Sequence, residues 1–413
     1  MSLIKKLIIL IIFIIFSFIL FRLTTERRKL KTEFGIEGFR EGALFSSPTA
    51  DSELASLKNT DIPASTVDTI NRTLPLKQYC IKGSYNSAIT GNYVNIEMIK
   101  YLLYRGCRFL DFEIFSFDGE PYVAMSTDST YSSVNTINKD SLQNIFSTIA
   151  TYAFTAPSPI NTDPLFINLR IKTKQTELYN KIGKIIVDNL GNYMYKDLSG
   201  NALPVNGDTI LSTIRDKIII VLDKTYAPTY SYKSNLGNNV NIISGGDTMR
   251  TYGYSTLTQQ QFTSPVIKDD GINTDVVSLK LVYPDVGSNW LGLTRNALYY
   301  PMVLNYGVQI VLYPFYQVDM YLGQYEKAFS EKKAGIVPIS QMILYLQSTL
   351  GGDSADMETD VTPPTTPGID IFGAPPPITY ESPTLSTGDI MSNVKGTLSQ
   401  TTNFLFKGPS KMR

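Results

Sequence analysis

Histidine is absent from this chain: none occurs among its 413 residues. Imidazole is the one side chain that ordinarily titrates near neutrality, so no residue here is a ready-made general acid and base at pH 7. Cysteine is almost as scarce. Cys80 and Cys107 are too few for a disulfide framework, and neither has a second cysteine at metal-ligand spacing. Both read as reduced thiols inside a core, which puts the folded part on a reducing side of a membrane. Net charge is missing too: Lys+Arg and Asp+Glu balance at 37 each, so no overall field recruits nucleic acid. No repeat of solenoid period stands out. What the chain has is apolar mass. A 43% hydrophobic fraction with 26 Tyr and 20 Phe is enough for one large domain with appendages, or two ordinary ones.

The longest apolar run is N-terminal. Leu7 to Phe21 reads LIILIIFIIFSFILF, with Ser17 its one polar residue, between Lys5-Lys6 and Arg22. As a helix it rises roughly 22 Å, short of the ~30 Å hydrocarbon core. Leu3, Ile4 and Leu23 lengthen it, and the flanking cations snorkel. RLTTERRKLK follows without a small-x-small cleavage site, so residues 1–23 are read as an uncleaved single-pass anchor and not as a signal peptide. Arg22, Arg27, Arg28, Lys29 and Lys31 outnumber Lys5 and Lys6, which places the rest of the chain on the cytoplasmic or equivalent side. The sequon Asn71-Arg72-Thr73 is unused in that topology.

Residues 24–75 are mixed polar sequence of weak periodicity, read as a stalk. Residues 351–413 are an extended arm: eight of the 22 prolines fall after Gly352, which excludes a packed domain there. Ile369, Ile371, Phe372, Phe404, Leu405 and Phe406 bead the arm with apolar anchors for protein partners. Between them, residues 76–350 alternate short apolar runs with helical patterns. FLDFEIF (109–115), YVAM (122–125), LFINLRI (165–171), KIIIVL (217–222), VVSLKLV (276–282) and VQIVLY (308–313) read as buried strands. Ile96, Ile99, Leu102 and Leu103 mark one helical face, and Leu178, Ile182, Ile185 and Ile186 another. The pattern predicts an α/β fold with a parallel sheet covered by helices. A closed barrel and a doubly wound sheet satisfy it equally.

Gly106-Cys107-Arg108-Phe109-Leu110-Asp111-Phe112-Glu113 resembles the second barrel strand of phosphatidylinositol-specific phospholipase C. Further fragments fall in the same order. Ser84-Tyr85-Asn86-Ser87 is similar to the family's Ser-His-Asn-Thr after the first strand, and Pro121 to Ser126 to the strand that ends in its second catalytic histidine. Pro164–Leu169 and Lys217–Ile220 match the next strands. Val282-Tyr283-Pro284, Ser288-Asn289-Trp290, Gly307–Val311 and Val318–Gly323 continue the series. The resemblance implies a TIM-type (β/α)8 barrel, phospholipase C-like, with its site where the strands end.

It also implies what has been replaced. Tyr85 and Met125 stand where the family's two catalytic histidines are. A phenol of ordinary pKa near 10 is a poor base, and a thioether neither gives nor takes a proton. The family's calcium ligands align with Asn86, Asp111, Glu113 and Arg170, so a permanent cation stands in the ligand set and no metal is expected. Arg170 is expected to pair with Asp111 or Glu113 instead. The bacterial branch of the family also uses an arginine in place of calcium, which leaves the missing histidines as the stronger argument. The phosphate-binding positions align with Val221, Asp223 and Leu281; Tyr283 and the neighbouring Lys224 remain as candidate ligand contacts.

The expectation is a pseudoenzyme without cofactor: an inert, membrane-anchored structural or scaffolding barrel whose tail binds proteins. Its Asn-, Ile-, Lys- and Tyr-rich style resembles proteins of large DNA viruses, which suggests a virion inner membrane or minor capsid setting. The alternatives are a module that binds an inositol phosphate or lipid headgroup, and a phosphodiesterase with a rebuilt, histidine-free site. The Tyr- and Asn-rich stretch 226–239 reads as an exposed connection.

Overall fold

The computed structural model describes residues 49–58, 72–126, 134–158, 162–173, 175–223, 235–257, 266–268, 271–273, 278–285 and 296–356. Eight parallel strands form a ring: β1 (Tyr79–Ser84), β2 (Phe109–Phe117), β3 (Leu165–Ile171), β4 (Ile218–Asp223), β5 (Ile242–Ser244), β6 (Met249–Gly253), β7 (Leu279–Tyr283) and β8 (Ile310–Tyr313). Because β1 pairs with both β2 and β8, the ring closes, and the doubly wound alternative is excluded. The described helices are α1 (Ala50–Lys58), α2 (Ile96–Tyr104), α3 (Leu142–Tyr152), α4 (Thr176–Leu190), α5 (Tyr254–Leu257), α6 (Tyr299–Leu304), α7 (Met320–Glu331) and α8 (Ile339–Asp356).

Strand alternation sorts the apolar residues into two cores. Ile81, Phe109, Phe166, Ile219, Met249, Leu279 and Ile310 fill the barrel interior. Leu110, Phe112, Ile167, Leu169, Ile220 and Val311 face the other way and pack with α2, α3, α4 and α7 residues in the outer layer. Nearly continuous apolar runs were thus a correct sign of strands buried on both faces. The interior becomes polar toward the strand ends: Asp111 and Glu113 on β2, Asn168 and Arg170 on β3, and Asp223 on β4 are all buried.

One predicted strand is corrected. YVAM (122–125) does not belong to the parallel set: Glu120–Val123 folds back antiparallel on β2, pairing Ile114 with Val123 and Phe117 with Glu120. The cause is Asp118-Gly119, both at positive φ (53° and 77°), a two-residue turn that reverses the chain. A second antiparallel strand, Ile336–Pro338, pairs with β1 outside the ring.

The stretch read as stalk contains part of the folded body. α1 places Leu54 and Leu57 in the outer core, capped at its start by reciprocal bonds between Thr49 and Ser52. Among the described residues no helix is long and apolar enough to cross a membrane. The proposed anchor (1–23) and the arm beyond Asp356 lie outside the described residues, as do Asn71 and most of the Tyr- and Asn-rich stretch. Cys80 and Cys107 are free and buried, and burial pushes both thiols up to about 12.

Candidate functional site

The motif at 106–113 builds one side of the site. Gly106, at φ 78°, ends α2: its N–H bonds Leu103 O at 3.0 Å and the Cys107 N–H bonds Leu102 O at 3.0 Å, the two reverse bonds of a Schellman close. That stop sets the register of β2, so Asp111 and Glu113 face inward while Leu110 and Phe112 face the helices. Arg108 is an internal strut, its Nη1 donating to Ala153 O at 2.9 Å. On the neighbouring strand Asn168 lies opposite Asp111 and Arg170 opposite Glu113.

Asn86 closes the third side. Its backbone is left-handed (φ 47°), a conformation asparagine tolerates better than most residues. Asp111 holds the kink: Oδ2 accepts from Asn86 N at 3.0 Å, and its carbonyl accepts from Ser87 N at 2.8 Å. Asn86 Oδ1 is thereby aimed at Arg170.

Arg170 is the centre of the cluster. Nε donates to Asp111 Oδ1 at 2.8 Å and Nη2 to Asp111 Oδ2 at 2.6 Å, a bidentate fork. Nη1 donates to Glu113 Oε1 at 2.6 Å and Nη2 to Asn86 Oδ1 at 2.7 Å. The remaining N–H of Nη1 points to Tyr85 Oη at 3.4 Å. All five donors of the guanidinium are therefore directed at partners. Its Cζ also lies 4.5 Å from the Tyr85 ring centre and 5.5 Å from that of Tyr283. Burial opposes this charge, but Asp111, Tyr85 and Glu113 raise the Arg170 pKa well above the ordinary arginine value. Arg170 pairs with both carboxylates, where the sequence offered one or the other.

The other candidate positions fall around it. Burial drives the Tyr85 phenol well above its ordinary pKa and Arg170 offsets only part of this, so the residue in the first histidine's place offers even less phenolate at neutral pH than free tyrosine. Met125 packs in the outer core, with Tyr316 Oη 3.5 Å from its sulfur. The adjoining Ser126 N–H reaches Glu113 Oε2 at 2.8 Å. Tyr283 Oη accepts from Asn168 Nδ2 at 2.8 Å, the same amide that donates to Asp111 Oδ1 at 2.8 Å. Val221 and Leu281 fill the barrel interior. Lys224 lies outside the described residues.

Two residues escaped the sequence reading. Asn168 ties Tyr283 to the cluster. Lys172, half-buried, follows it at the end of β3, and its amine is held down to about 6 by burial and by Arg170 against the pull of Glu113, Asp223 and Asp111. Both were legible in principle, since positions 168, 170 and 172 share one parity of LFINLRIK. Lys172 carries a prediction. Its folded pKa is depressed below the ordinary lysine value of about 10.4, so the unfolded chain binds the extra proton and stability falls as pH drops from about 10 to about 6. In thermal melts across that range, Lys172→Met should gain on the parent progressively as pH falls; parallel curves would refute the assignment.

The arrangement does not suit calcium. Asn86 Oδ1 and three of the four carboxylate oxygens of Asp111 and Glu113 accept from Arg170, and the remaining one accepts from Ser126 N. The atom of Asn86 left unpartnered is Nδ2, a donor, which no cation accepts.

Comparison with known proteins agrees with this architecture. Residues 72–224 match the family described as phosphatidylinositol-specific phospholipase C, X domain. Among solved structures, PLC21 of L. pealei is similar at 16% identity and TM-score 0.50, covering 75% of this chain and 43% of its own. PLC21 of S. officinalis is similar at 17% identity and TM-score 0.50, covering 76% of this chain and 43% of its own. This chain thus spans less than half the length of those proteins. No curated protein matches. Residues 72–224 are thus similar in sequence to the phosphatidylinositol-specific phospholipase C X domain, and the barrel shares the fold of these phospholipase C structures.

Proposed function

We propose that this barrel is catalytically inactive and serves as a membrane-anchored structural or scaffolding element. The observation that carries the reading is the cage of Arg170: an internal guanidinium binds Asn86, Asp111, Glu113 and Tyr85 at once, in a chain without histidine. Of the side chains described around it, Lys172 alone is held near neutrality, and it stands beyond the end of β3, outside the positions of the two histidines. Tyr85 is raised away from neutrality, Met125 has no proton to exchange, and the two carboxylates are engaged by Arg170. Headgroup binding is disfavoured by the same geometry. The Arg170 guanidinium is committed to two anions, and Val221, Asp223 and Leu281 offer a phosphate no donor side chain. The apolar run at 7–21 and the apolar beads of the arm support an anchor and a partner-binding tail, and a virion membrane is the setting we favour.

Phosphorus NMR on the full chain with soluble glycerophosphoinositol, with and without calcium, tests this reading. An unchanged spectrum is expected. A cyclic-phosphate signal would overturn it and make Tyr85 and Lys172 the groups to substitute, whereas line broadening without product would favour the headgroup-binding module.

A further inference from the structure

Helix α1 lies upstream of the matched region 72–224, yet it is joined to the loop that carries the site. The Glu53 carboxylate is the joint. Oε2 accepts from Thr90 Oγ1 at 2.9 Å and from Asn92 N at 3.0 Å, and Oε1 accepts from Asn92 Nδ2 at 2.6 Å. Between these two lies Gly91, at φ 143°; a Cβ there would stand 3.2 Å from Glu53 Oε2, so glycine alone lets the turn close on the carboxylate. Lower down, Asn95 Nδ2 donates to Ala50 O at 3.2 Å and Tyr101 Oη to Leu57 O at 2.9 Å. Leu54 and Leu57 are buried in the outer core.

The clasped turn leads directly to the site. Thr90 N donates to Tyr93 O at 3.0 Å, Asn95 N to Ala88 O at 2.7 Å, and Ile89 N to Asn86 O at 2.9 Å, so residues 86–95 form a small folded hairpin whose base is Asn86. Asn86 is held by Asp111 on one side and holds Arg170 on the other. One carboxylate on α1 is thus linked through a single turn to the guanidinium cage.

We propose that α1 is an intramolecular clasp and Glu53 its positioning residue: the segment preceding the barrel sets the geometry of the loop that brings Tyr85 and Asn86 to Arg170. The flank of the barrel formed by residues 90–95 and α2 is the receptor surface, and its occupant is residues 50–58 of this chain. The clasp does not require the barrel to be inert. In the membrane-anchored reading, tension or a partner on the N-terminal segment would act first on Thr49–Glu53 and so on the site.

Hydrogen exchange of the full chain, measured on Glu53→Gln and separately on Asn92→Ala, tests the clasp. Asn92 is exposed and Glu53 half-buried, and neither lies in the barrel interior. The amides of Asn86 to Asn95 should exchange at least tenfold faster in either variant while those of β3 keep their rates, and a dicarbonyl reagent should label Arg170 faster than in the parent. Two results would overturn the proposal: faster exchange in α1 with residues 86–95 unchanged, or a uniform rise over the whole barrel. The first would make α1 a surface appendage, the second a general stabiliser.

Discussion

Arg170→Ala should destabilise the folded chain by about 3–5 kcal/mol, the usual cost of stranding buried charge, and should create a calcium response that the parent lacks. Asp111 and Glu113 are both fully buried, and each loses its ion-pair partner. Asn86 Oδ1 loses its donor and becomes available to a hard cation. The freed set is then two carboxylates and an amide oxygen around an empty volume. Calcium at 100 times its dissociation constant would return about 2.7 kcal/mol, readable as a rise in Tm confined to the variant. Terbium luminescence gives an independent readout. An equal calcium effect on parent and variant would show that Arg170 does not occupy the cation's place. A loss below about 1 kcal/mol would show that the cage is not an ion-pair cluster of consequence.

A second large effect is expected far from the site. Glu326 on α7 is fully buried and is the carboxylate between Lys82 on β1 and Arg105 at the end of α2. Lys82 Nζ donates to Glu326 Oε1 at 3.1 Å and to Arg105 O at 2.7 Å, while Arg105 Nε donates to the same Oε1 at 2.9 Å. Glu326→Gln removes the one anion and leaves two buried cations facing each other, again about 3–5 kcal/mol. For a barrel of this size the thermal midpoint should fall by roughly 5–8 °C. Replacing Lys82, Arg105 and Glu326 together by apolar residues of similar volume should cost far less, because such clusters stabilise little relative to a packed core. Near-equal losses in the single and triple variants would show that packing, and not stranded charge, dominates.

How much of this was readable beforehand differs from element to element. Strand runs such as LFINLRI and KIIIVL are apolar throughout because the ring has an interior and a helix layer, and both faces need apolar side chains. Closure could not be read from them. It depends on β1 meeting β8 across more than two hundred residues of sequence, which no local pattern encodes. YVAM was misplaced because four apolar residues look alike in either direction; the turn at Asp118-Gly119 was the local signal that decided it. That α1 packs on the barrel is not legible in a stretch that reads as stalk, because nine residues with two buried leucines give a short and weak helical pattern and its partners are tens of residues away.

The site divides in the same way. By itself the sequence determined that no imidazole is available, since the absence of histidine is a fact of composition and needs no coordinates. Its resemblance to the phospholipase C family also put Arg170 in one ligand set with Asn86, Asp111 and Glu113. Only the tertiary structure decided how these groups meet. That Arg170 takes both carboxylates, that the left-handed backbone of Asn86 delivers an oxygen to it, and that Glu53 steadies the loop behind it are outcomes of distance and angle between separate elements. A sequence specifies which groups are available to hydrogen-bond, but partners are chosen where several chain segments converge, and that convergence is a property of the closed barrel.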